Sequence, residues 1–249
     1  MFDDFLPPAK FAEFWRYFQD EELQTAHSPV VKGVWRVDDG HPLLGPQLIR
    51  PSRPLAELLP PGMTLPKLAF NQFFCPTGKP VDGLLDAIVD AAGKFPGIVG
   101  TEHQEWIGLL AQLQVYPVAS ALSWHRDLVM YSGAFVFYAH PEWNSQWGGE
   151  LLIADPATKQ WMTAAGPRKH QLSNEVESEE LLRLGMGRYI APKPNRLVLL
   201  AGSDPHAIAK VNPAAGHHVR ASLSGFFISP NGVKSLIQAA VRGAQARGS

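Results

Sequence analysis

The chain has 249 residues, of which 45% are hydrophobic, and its 22 basic and 23 acidic side chains leave a formal net charge of −1. One domain of this length can bury a sizeable core, and so small a net charge argues against nucleic acid or an anionic membrane surface as a partner. No apolar run reaches the roughly 18 to 20 residues that a membrane span needs, and the first residues are acidic where a secretory signal would be basic, so we expect a soluble, cytoplasmic protein. The single cysteine excludes a cysteine-cluster metal site, so any metal site must use His and carboxylate.

The N-terminal part of the chain predicts two helices with short strands and loops between them. Four aromatic residues recur at helical spacing after a proline pair: Phe11, Phe14, Trp15 and Phe18. This spacing predicts an amphipathic helix within residues 1–20 whose aromatic stripe packs in the core. Residues 33–80 are rich in Pro and Gly and predict short strands and loops. A second helix is expected after Asp82, with Gly93 placed to end it.

The pattern changes after residue 105 to short runs of β-branched, aromatic and leucine residues separated by turn signals. These runs are Leu109–Tyr116, Ala134–Ala139, Leu151–Ala154, Arg196–Ala201 and Ala221–Ser229. Regularly spaced short strands indicate a sandwich or barrel. The polar stretch 155–194 is long for a connection and predicts a lid-like insert. Residues 230–249 predict a closing helix that packs on the barrel or on a partner subunit.

His125 and Asp127 form a His-x-Asp pair within a short segment that can be extended. Residues two apart in an extended chain project from the same face, so the imidazole and the carboxylate converge. A metal that must also bind small ligands needs three protein ligands on one face of its octahedron and open positions opposite. The pair alone is a weak signal, because such spacing arises often by chance, and it requires a distant second histidine.

His206 is a candidate third ligand, because an apolar strand and a short turn deliver it. The strand is Asn195–Leu200 and the turn is Gly202–Pro205. His217 and His218 are the alternatives, since they lie close in sequence to Arg220, which is a candidate for binding the carboxylate of a ligand.

Arg220 opens an alternating segment that places Arg220 and Ser222 on one face and Leu223 and Phe227 on the other. A guanidinium in the wall of a barrel needs an anion, because a buried charge without a partner is costly. Its planar fork matches a carboxylate with two parallel hydrogen bonds. The pattern therefore predicts a site for the carboxylate of a small ligand.

Five segments stand in a definite order: His125-x-Asp127, Trp147–Leu151, Asn195–Leu199, His206 and Arg220-x-Ser222. In this order the chain resembles the 2-oxoglutarate/Fe(II) oxygenases, in particular their prolyl-hydroxylase-like branch, over residues 116–229. The resemblance implies a mainly β fold with flanking helices (α+β), built on a double-stranded β-helix, or jelly-roll, barrel. We expect a single domain, 1–249, with helices and support strands in 1–105, the jelly-roll core in 106–229 and the closing helix in 230–249.

The resemblance also implies the ligands and the residues that bind them. Fe(II) would be held by His125, Asp127 and His206. The C5 carboxylate of the cosubstrate 2-oxoglutarate would be bound by Arg220 and Ser222, with a further contact from Tyr116. O2 is the oxidant, and ascorbate is a candidate reductant.

Three positions narrow the class. Related halogenases lack the metal carboxylate, so Asp127 favours hydroxylation over halogenation. Collagen-type prolyl hydroxylases have lysine where this chain has Arg220, so prolyl-peptide activity is not assumed. The branch that dealkylates nucleic acids has a second arginine at the position of Phe226, and its absence agrees with the small net charge.

The function implied is oxidation of an unactivated C–H bond, most simply hydroxylation, with release of succinate and CO2. We favour a small molecule such as an amino acid, a short peptide or a natural-product intermediate, because the chain has no separate recognition domain. A protein or peptidyl substrate is the alternative within the superfamily. A non-oxidative metal-dependent jelly-roll hydrolase or lyase, or a binding module, is the alternative outside it. His140, Trp147 and Arg126 are candidate substrate residues, and we expect a monomer or homodimer.

Overall fold

The computed structural model describes residues 1–26, 37–54, 72–127, 130–155, 187–202 and 204–230, together with the single positions 57, 157, 179, 183 and 232. The predicted helix in 230–249 and most of the predicted insert in 155–194 lie outside these residues. Within the described part of the chain, no helix has the length and apolar composition needed to cross a membrane.

Two amphipathic helices precede the main run of strands, and both confirm the prediction from sequence. Helix α1 is Pro8–Asp20 and helix α2 is Pro80–Ala92. Each begins with proline, whose missing N–H would have no partner in the first turn. Gly93 follows α2, and its N–H donates to the carbonyl of Val89. A single short turn, α3, spans Pro96–Val99.

The described residues form eleven strands in chain order. They are β1 Gln24–Thr25, β2 Leu43–Pro51, β3 Gln72–Phe74, β4 Gly108–Tyr116, β5 Leu122–His125, β6 Tyr131–Tyr138, β7 Leu151–Ile153, β8 Arg188–Ile190, β9 Leu197–Ala201, β10 His206–Ile208 and β11 Arg220–Ile228. Strand β8 lies within the range of the predicted insert, 155–194, but it belongs to the smaller sheet. It pairs with β7, and its Ile190 packs against the core between the sheets.

The strands form two sheets. The larger sheet has the order β1-β2-β4-β11-β6-β9, with β3 paired to β2, and the smaller sheet has the order β5-β10-β7-β8. Neighbours are antiparallel except for the parallel pair β2 and β3. The mainly β jelly-roll prediction is confirmed, with two open sheets packed on each other and no continuous closed barrel among the described strands.

The two faces of the larger sheet have different surroundings because side chains alternate along each strand. One face packs on α1 and α2 through a core that includes Phe14, Leu85, Ile88, Ala111, Phe137, Leu223 and Phe227. The other face, called the inner face below, packs in part on the smaller sheet through Ala134, Val136, Tyr138, Leu151, Ile153, Val198 and Leu200. Polar residues of β11 at positions 220 and 222 therefore lie inside the molecule.

Candidate active site

His125, Asp127 and His206 form the only group of three potential metal ligands found among the described residues, with one ligand atom of each within 4.8 Å of the others. His125 ends β5 and is the cross-strand partner of His206, which begins β10. The Oδ1 atom of Asp127 lies 3.9 Å from Nε2 of His125 and 3.8 Å from Nε2 of His206. The structure therefore brings the three predicted ligands together.

Both imidazoles turn the same nitrogen toward Asp127. Nδ1 of His125 lies 2.8 Å from the carbonyl oxygen of Ser123, and Nδ1 of His206 lies 2.8 Å from the carbonyl oxygen of Asp204. A carbonyl oxygen only accepts, so each Nδ1 carries a proton and donates it. Each Nε2 then keeps a lone pair for a metal, which is the usual orientation of ligating histidines.

The carboxylate of Asp127 is buried, and only one of its two oxygen atoms faces the imidazoles. Its side chain is 3% exposed, and its Oδ2 atom has no hydrogen-bond partner within the described ranges. Burial raises the pKa of Asp127, against a smaller lowering by His206. An ionised carboxylate in such surroundings needs a nearby cation. Two neutral imidazoles and one carboxylate are the donor set of non-haem Fe(II) sites, so these residues fit that metal.

Strand β5 is tied to a distant turn by a hydrogen bond that the sequence did not predict. The Oγ of Ser123 donates to Oδ1 of Asp39 over 2.6 Å, and both residues are buried. Ser123 also provides the carbonyl that orients the ring of His125. The separation of 84 residues explains why no local pattern indicated this contact.

Arg220 is fully buried at the start of β11. Its Nε donates to the carbonyl of Gly149 over 2.8 Å and its Nη1 to Oγ of Ser222 over 3.3 Å, whereas Nη2 has no partner among the described residues. The guanidinium carbon lies 5.0 Å from the ring centroids of both Tyr116 and Tyr138. A buried cation with an unused donor matches the carboxylate of a ligand.

Tyr138 is a member of this site that sequence reasoning missed. Its buried hydroxyl has no hydrogen-bond partner within the described residues, whereas the hydroxyl of Tyr116, the tyrosine predicted from sequence, donates to Oε1 of Gln114 over 3.0 Å. Tyr138 is the cross-strand partner of Ser222. It could be recognised only once the register of β6 and β11 was known.

Gly148 and Gly149 both have φ of +74°, a backbone conformation that glycine adopts without strain. Gly149 has a second role, because a Cβ atom there would lie 2.9 Å from Cδ of Arg220. The glycine thus leaves room for the arginine and also accepts its hydrogen bond.

His140, predicted as a substrate residue, lies in the core and is 2% exposed. Its Nε2 donates to the carbonyl of Pro192 over 2.7 Å, and its Nδ1 accepts from the N–H of Ala221 over 3.2 Å. Burial lowers the pKa of His140 to about 4, so the ring is neutral at physiological pH. Both ring nitrogens are hydrogen-bonded to backbone groups, so neither is available to a substrate. This corrects the expectation that His140 contacts a substrate.

The buried His140 predicts a loss of stability in mild acid. Because its pKa is depressed in the folded state, the unfolded state binds the proton more readily, so the contribution is complete above pH 6.5 and is lost as the pH falls toward 4. We expect the free energy of unfolding of the wild type to fall by about 2 kcal/mol more than that of His140→Gln between pH 7.5 and pH 5. Urea denaturation at both pH values measures this difference, and an equal fall in the two proteins would contradict it.

The other candidate residues lie apart from the three ligands or beside them. Trp147 stacks on His218 at 4.4 Å and meets Trp143 edge-on, so its ring contacts are with other rings and not with the three ligands. His218 also pairs with Glu142 at 3.3 Å, and neither it nor His217 joins the ligand group. Arg126 is half-buried between His125 and Asp127 in the chain. Roles for Trp147 and Arg126 in substrate binding stay predictions.

A comparison with known protein families matches residues 111–228 to the 2OG-Fe(II) oxygenase superfamily. These residues belong to that superfamily. The oxygenase domain contains the three candidate metal ligands and Arg220, and the N-terminal helices lie before it. No curated protein sequence gives a significant match to the chain.

Solved structures of oxygenases share the fold at low sequence identity. A prolyl-4-hydroxylase from Pseudomonas putida is 16% identical, with 92% of this chain and 90% of that chain covered and a TM-score of 0.53. A prolyl hydroxylase from Trichoplax adhaerens, solved with a peptide fragment of hypoxia inducible factor, is 12% identical over 94% and 84% of the two chains, also with a TM-score of 0.53. A 2OG-Fe(II) oxygenase family oxidoreductase from Burkholderia pseudomallei is 13% identical over 92% and 83%, with a TM-score of 0.52.

The match of residues 111–228 to this superfamily supports a 2-oxoglutarate-dependent iron dioxygenase, an enzyme that uses Fe(II), 2-oxoglutarate and O2. The residues present fit these ligands, since two Nε2 lone pairs and a buried carboxylate converge and a buried guanidinium retains a donor without a partner among the described residues.

Proposed function

We propose that the oxygenase oxidises an unactivated C–H bond of a small molecule, such as an amino acid, a short peptide or a natural-product intermediate. In this proposal His125, Asp127 and His206 hold the iron, and Arg220 with Ser222 binds the C5 carboxylate of 2-oxoglutarate. The observation that carries it is the buried guanidinium of Arg220, whose Nη2 atom has no partner within the described residues. A plain metal hydrolase has no need of such a group.

Each residue of the site has a definite task in this proposal. Bound Fe(II) and 2-oxoglutarate supply the oxidising power when O2 reacts, with release of succinate and CO2. His125 and His206 present Nε2 because their Nδ1 protons are held by backbone carbonyls. Asp127 supplies the negative charge that offsets the cation. The rings of Tyr116 and Tyr138 each lie 5.0 Å from the guanidinium carbon, and these contacts help to keep Arg220 in position for a carboxylate.

Tyr138 extends the proposed cosubstrate site. Burial raises the pKa of Tyr138 and the adjacent guanidinium of Arg220 lowers it, and neither the hydroxyl of Tyr138 nor Nη2 of Arg220 makes a well-formed hydrogen bond within the described residues. A ligand carboxylate has enough lone pairs to accept from both. We assign Tyr138 and Tyr116 together with Arg220 and Ser222 to 2-oxoglutarate binding.

A peptidyl substrate is the second candidate, because two of the structures with the same fold are prolyl hydroxylases and one of them was solved with a peptide. The arginine at position 220 distinguishes this chain from the lysine of collagen-type enzymes. We further propose a cytoplasmic location, supported by a single cysteine, and a monomer or homodimer. The formal charge of −1 gives no support to a nucleic-acid substrate.

Binding of Fe(II) and 2-oxoglutarate can be tested without knowing the substrate. Anaerobic addition of both to the metal-free protein is expected to produce the weak visible metal-to-ligand charge-transfer band, because the C1 carboxylate and C2 ketone chelate the iron. Glutarate is the matched control, since it keeps both carboxylates but lacks the ketone and should produce no band. Succinate release in air is then measured with a panel of amino acids and short peptides. A wild-type protein that binds Fe(II) but never develops the band would refute the proposal.

A further inference from the structure

Two rows of side chains cross the inner face of the larger sheet next to the proposed cosubstrate site. Cross-strand partners share a face of a sheet. The polar row, at one register position of β3, β2, β4 and β11, is Gln72, Gln47, Gln112 and Ser224. The apolar row, two residues further along each strand, is Phe74, Ile49, Leu110 and Phe226.

Both rows remain accessible along the inner face of the sheet. All eight side chains are half-buried. The residues between them in sequence, such as Leu48 and Ala111, are buried in the core under α1 and α2. The inner face at these rows is therefore a surface that a small molecule can reach.

The polar row keeps unused hydrogen-bonding capacity. Nε2 of Gln112 donates to the carbonyl of Gly45 over 3.0 Å, and Nε2 of Gln72 donates to Oε1 of Gln47 over 2.6 Å. Among the described residues, Oε1 of Gln112 and Nε2 of Gln47 have no side-chain partner. These two neighbouring residues thus offer one acceptor and one donor, the pair that an amide group requires.

The polar row contacts the residues proposed to bind 2-oxoglutarate. Ser224 lies 3.3 Å, hydroxyl to hydroxyl, from Ser222, which accepts from Arg220. Phe226 of the apolar row stacks on Tyr131, with ring centroids 4.2 Å apart. A molecule on the polar row would therefore lie next to Ser222 and the proposed cosubstrate anchor.

No member of either row carries a formal charge at neutral pH. A free amino acid would bring an ammonium and a carboxylate to this surface, and each charge would lose water without gaining a counter-charge from the rows. A neutral amide or hydroxyl group would find both a donor and an acceptor, and adjacent hydrocarbon would meet the apolar row.

We infer that the polar and apolar rows form the substrate-binding surface, and that it selects an uncharged group bearing an amide or hydroxyl with hydrocarbon beside it. This inference rests on the proposed function and narrows its substrate class. It favours an acylated or amidated molecule over the free amino acid with the same side chain.

The test compares two probes that differ in charge and share a side chain. N-acetyl-leucine N-methylamide and free leucine are titrated into 15N-labelled full-length protein loaded with Zn(II) and 2-oxoglutarate. The side-chain amide signals of Gln47 and Gln112 are assigned by their loss in Gln47→Leu and Gln112→Leu. The neutral probe is expected to shift both signals with saturation, and leucine is expected to leave them in place. Equal shifts with leucine, or no saturable shift with the neutral probe, would overturn the inference.

Variants give an independent measure of the same contact. Gln47→Leu and Gln112→Leu are each expected to weaken binding of the neutral probe about tenfold, because one hydrogen bond is lost. Gln146→Leu, at an exposed position outside both rows, is the matched control and should bind like the wild type. Unchanged affinity in both row variants also overturns the inference. Binding of 2-oxoglutarate is measured in the same samples. If 2-oxoglutarate did not bind, the proposed function would be refuted; if it bound and the neutral probe did not, only the inference about the substrate-binding surface would be refuted.

Discussion

Replacing Arg220 with alanine is expected to weaken 2-oxoglutarate binding about 100-fold. The substitution removes a buried, charge-assisted pair of hydrogen bonds, a loss of about 3 kcal/mol. Arg220→Lys is expected to fall between the wild type and alanine, because it keeps the charge but loses the planar fork that Tyr116 and Tyr138 hold. Anaerobic titration of the Fe(II)-loaded protein, followed by the visible band, measures the dissociation constant.

The matched control is Arg16→Ala, which removes the same charge from an exposed position on α1. It should bind 2-oxoglutarate like the wild type. Circular dichroism and binding of the metal alone verify that the Arg220 variants are folded, since the alanine leaves a cavity between two rings. A folded Arg220→Ala protein with the wild-type dissociation constant would show that the cosubstrate carboxylate binds elsewhere.

Asp127→Asn is expected to change stability in opposite directions with and without metal. The buried Oδ2 of Asp127 has no partner among the described residues, so the neutral amide should stabilise the metal-free protein by about 1 kcal/mol. The same change should remove the stabilisation by Mn(II), a stand-in for Fe(II) in air. For the wild type this stabilisation is about 2.7 kcal/mol at a hundredfold excess over the dissociation constant, or about 5 to 10 °C in Tm.

Thermal unfolding of both proteins with EDTA and with Mn(II) measures the two effects. Asp90→Asn, at an exposed position of α2, is the control for loss of a carboxylate and should respond to Mn(II) like the wild type. If Mn(II) raised the Tm of the Asp127→Asn protein as much as that of the wild type, Asp127 would not be a ligand.

Local patterns in the sequence predicted most of the secondary structure. The aromatic spacing of α1 and the alternating runs of β4, β6 and β11 depend on near neighbours in the chain, so their periodicity is visible without tertiary contacts. Strand β8 was missed because its three residues, of which Arg188 and Tyr189 are exposed, lack an apolar run. Its place in the sheet is set by its pairing with β7, which lies well before it in the chain.

The candidate site divides in the same way. His-x-Asp is readable from sequence, because residues two apart on a strand share a face. The resemblance already favoured His206 over His217 and His218, and the pairing of β10 with β5 places His206 directly opposite His125. The surroundings of Arg220 could not be predicted in full, because its contacts with Gly149 and Tyr138 join different parts of the chain.

The sequence by itself determined the ligand types, the mainly β class and the superfamily resemblance, since each depends on residue identity and short-range order. Only the tertiary structure decided that His140 is enclosed by backbone partners and that glutamines from three strands align in one row. The physical reason is register: a strand shifted by one residue turns every side chain to the opposite face, and hydrogen bonds between distant segments set that register.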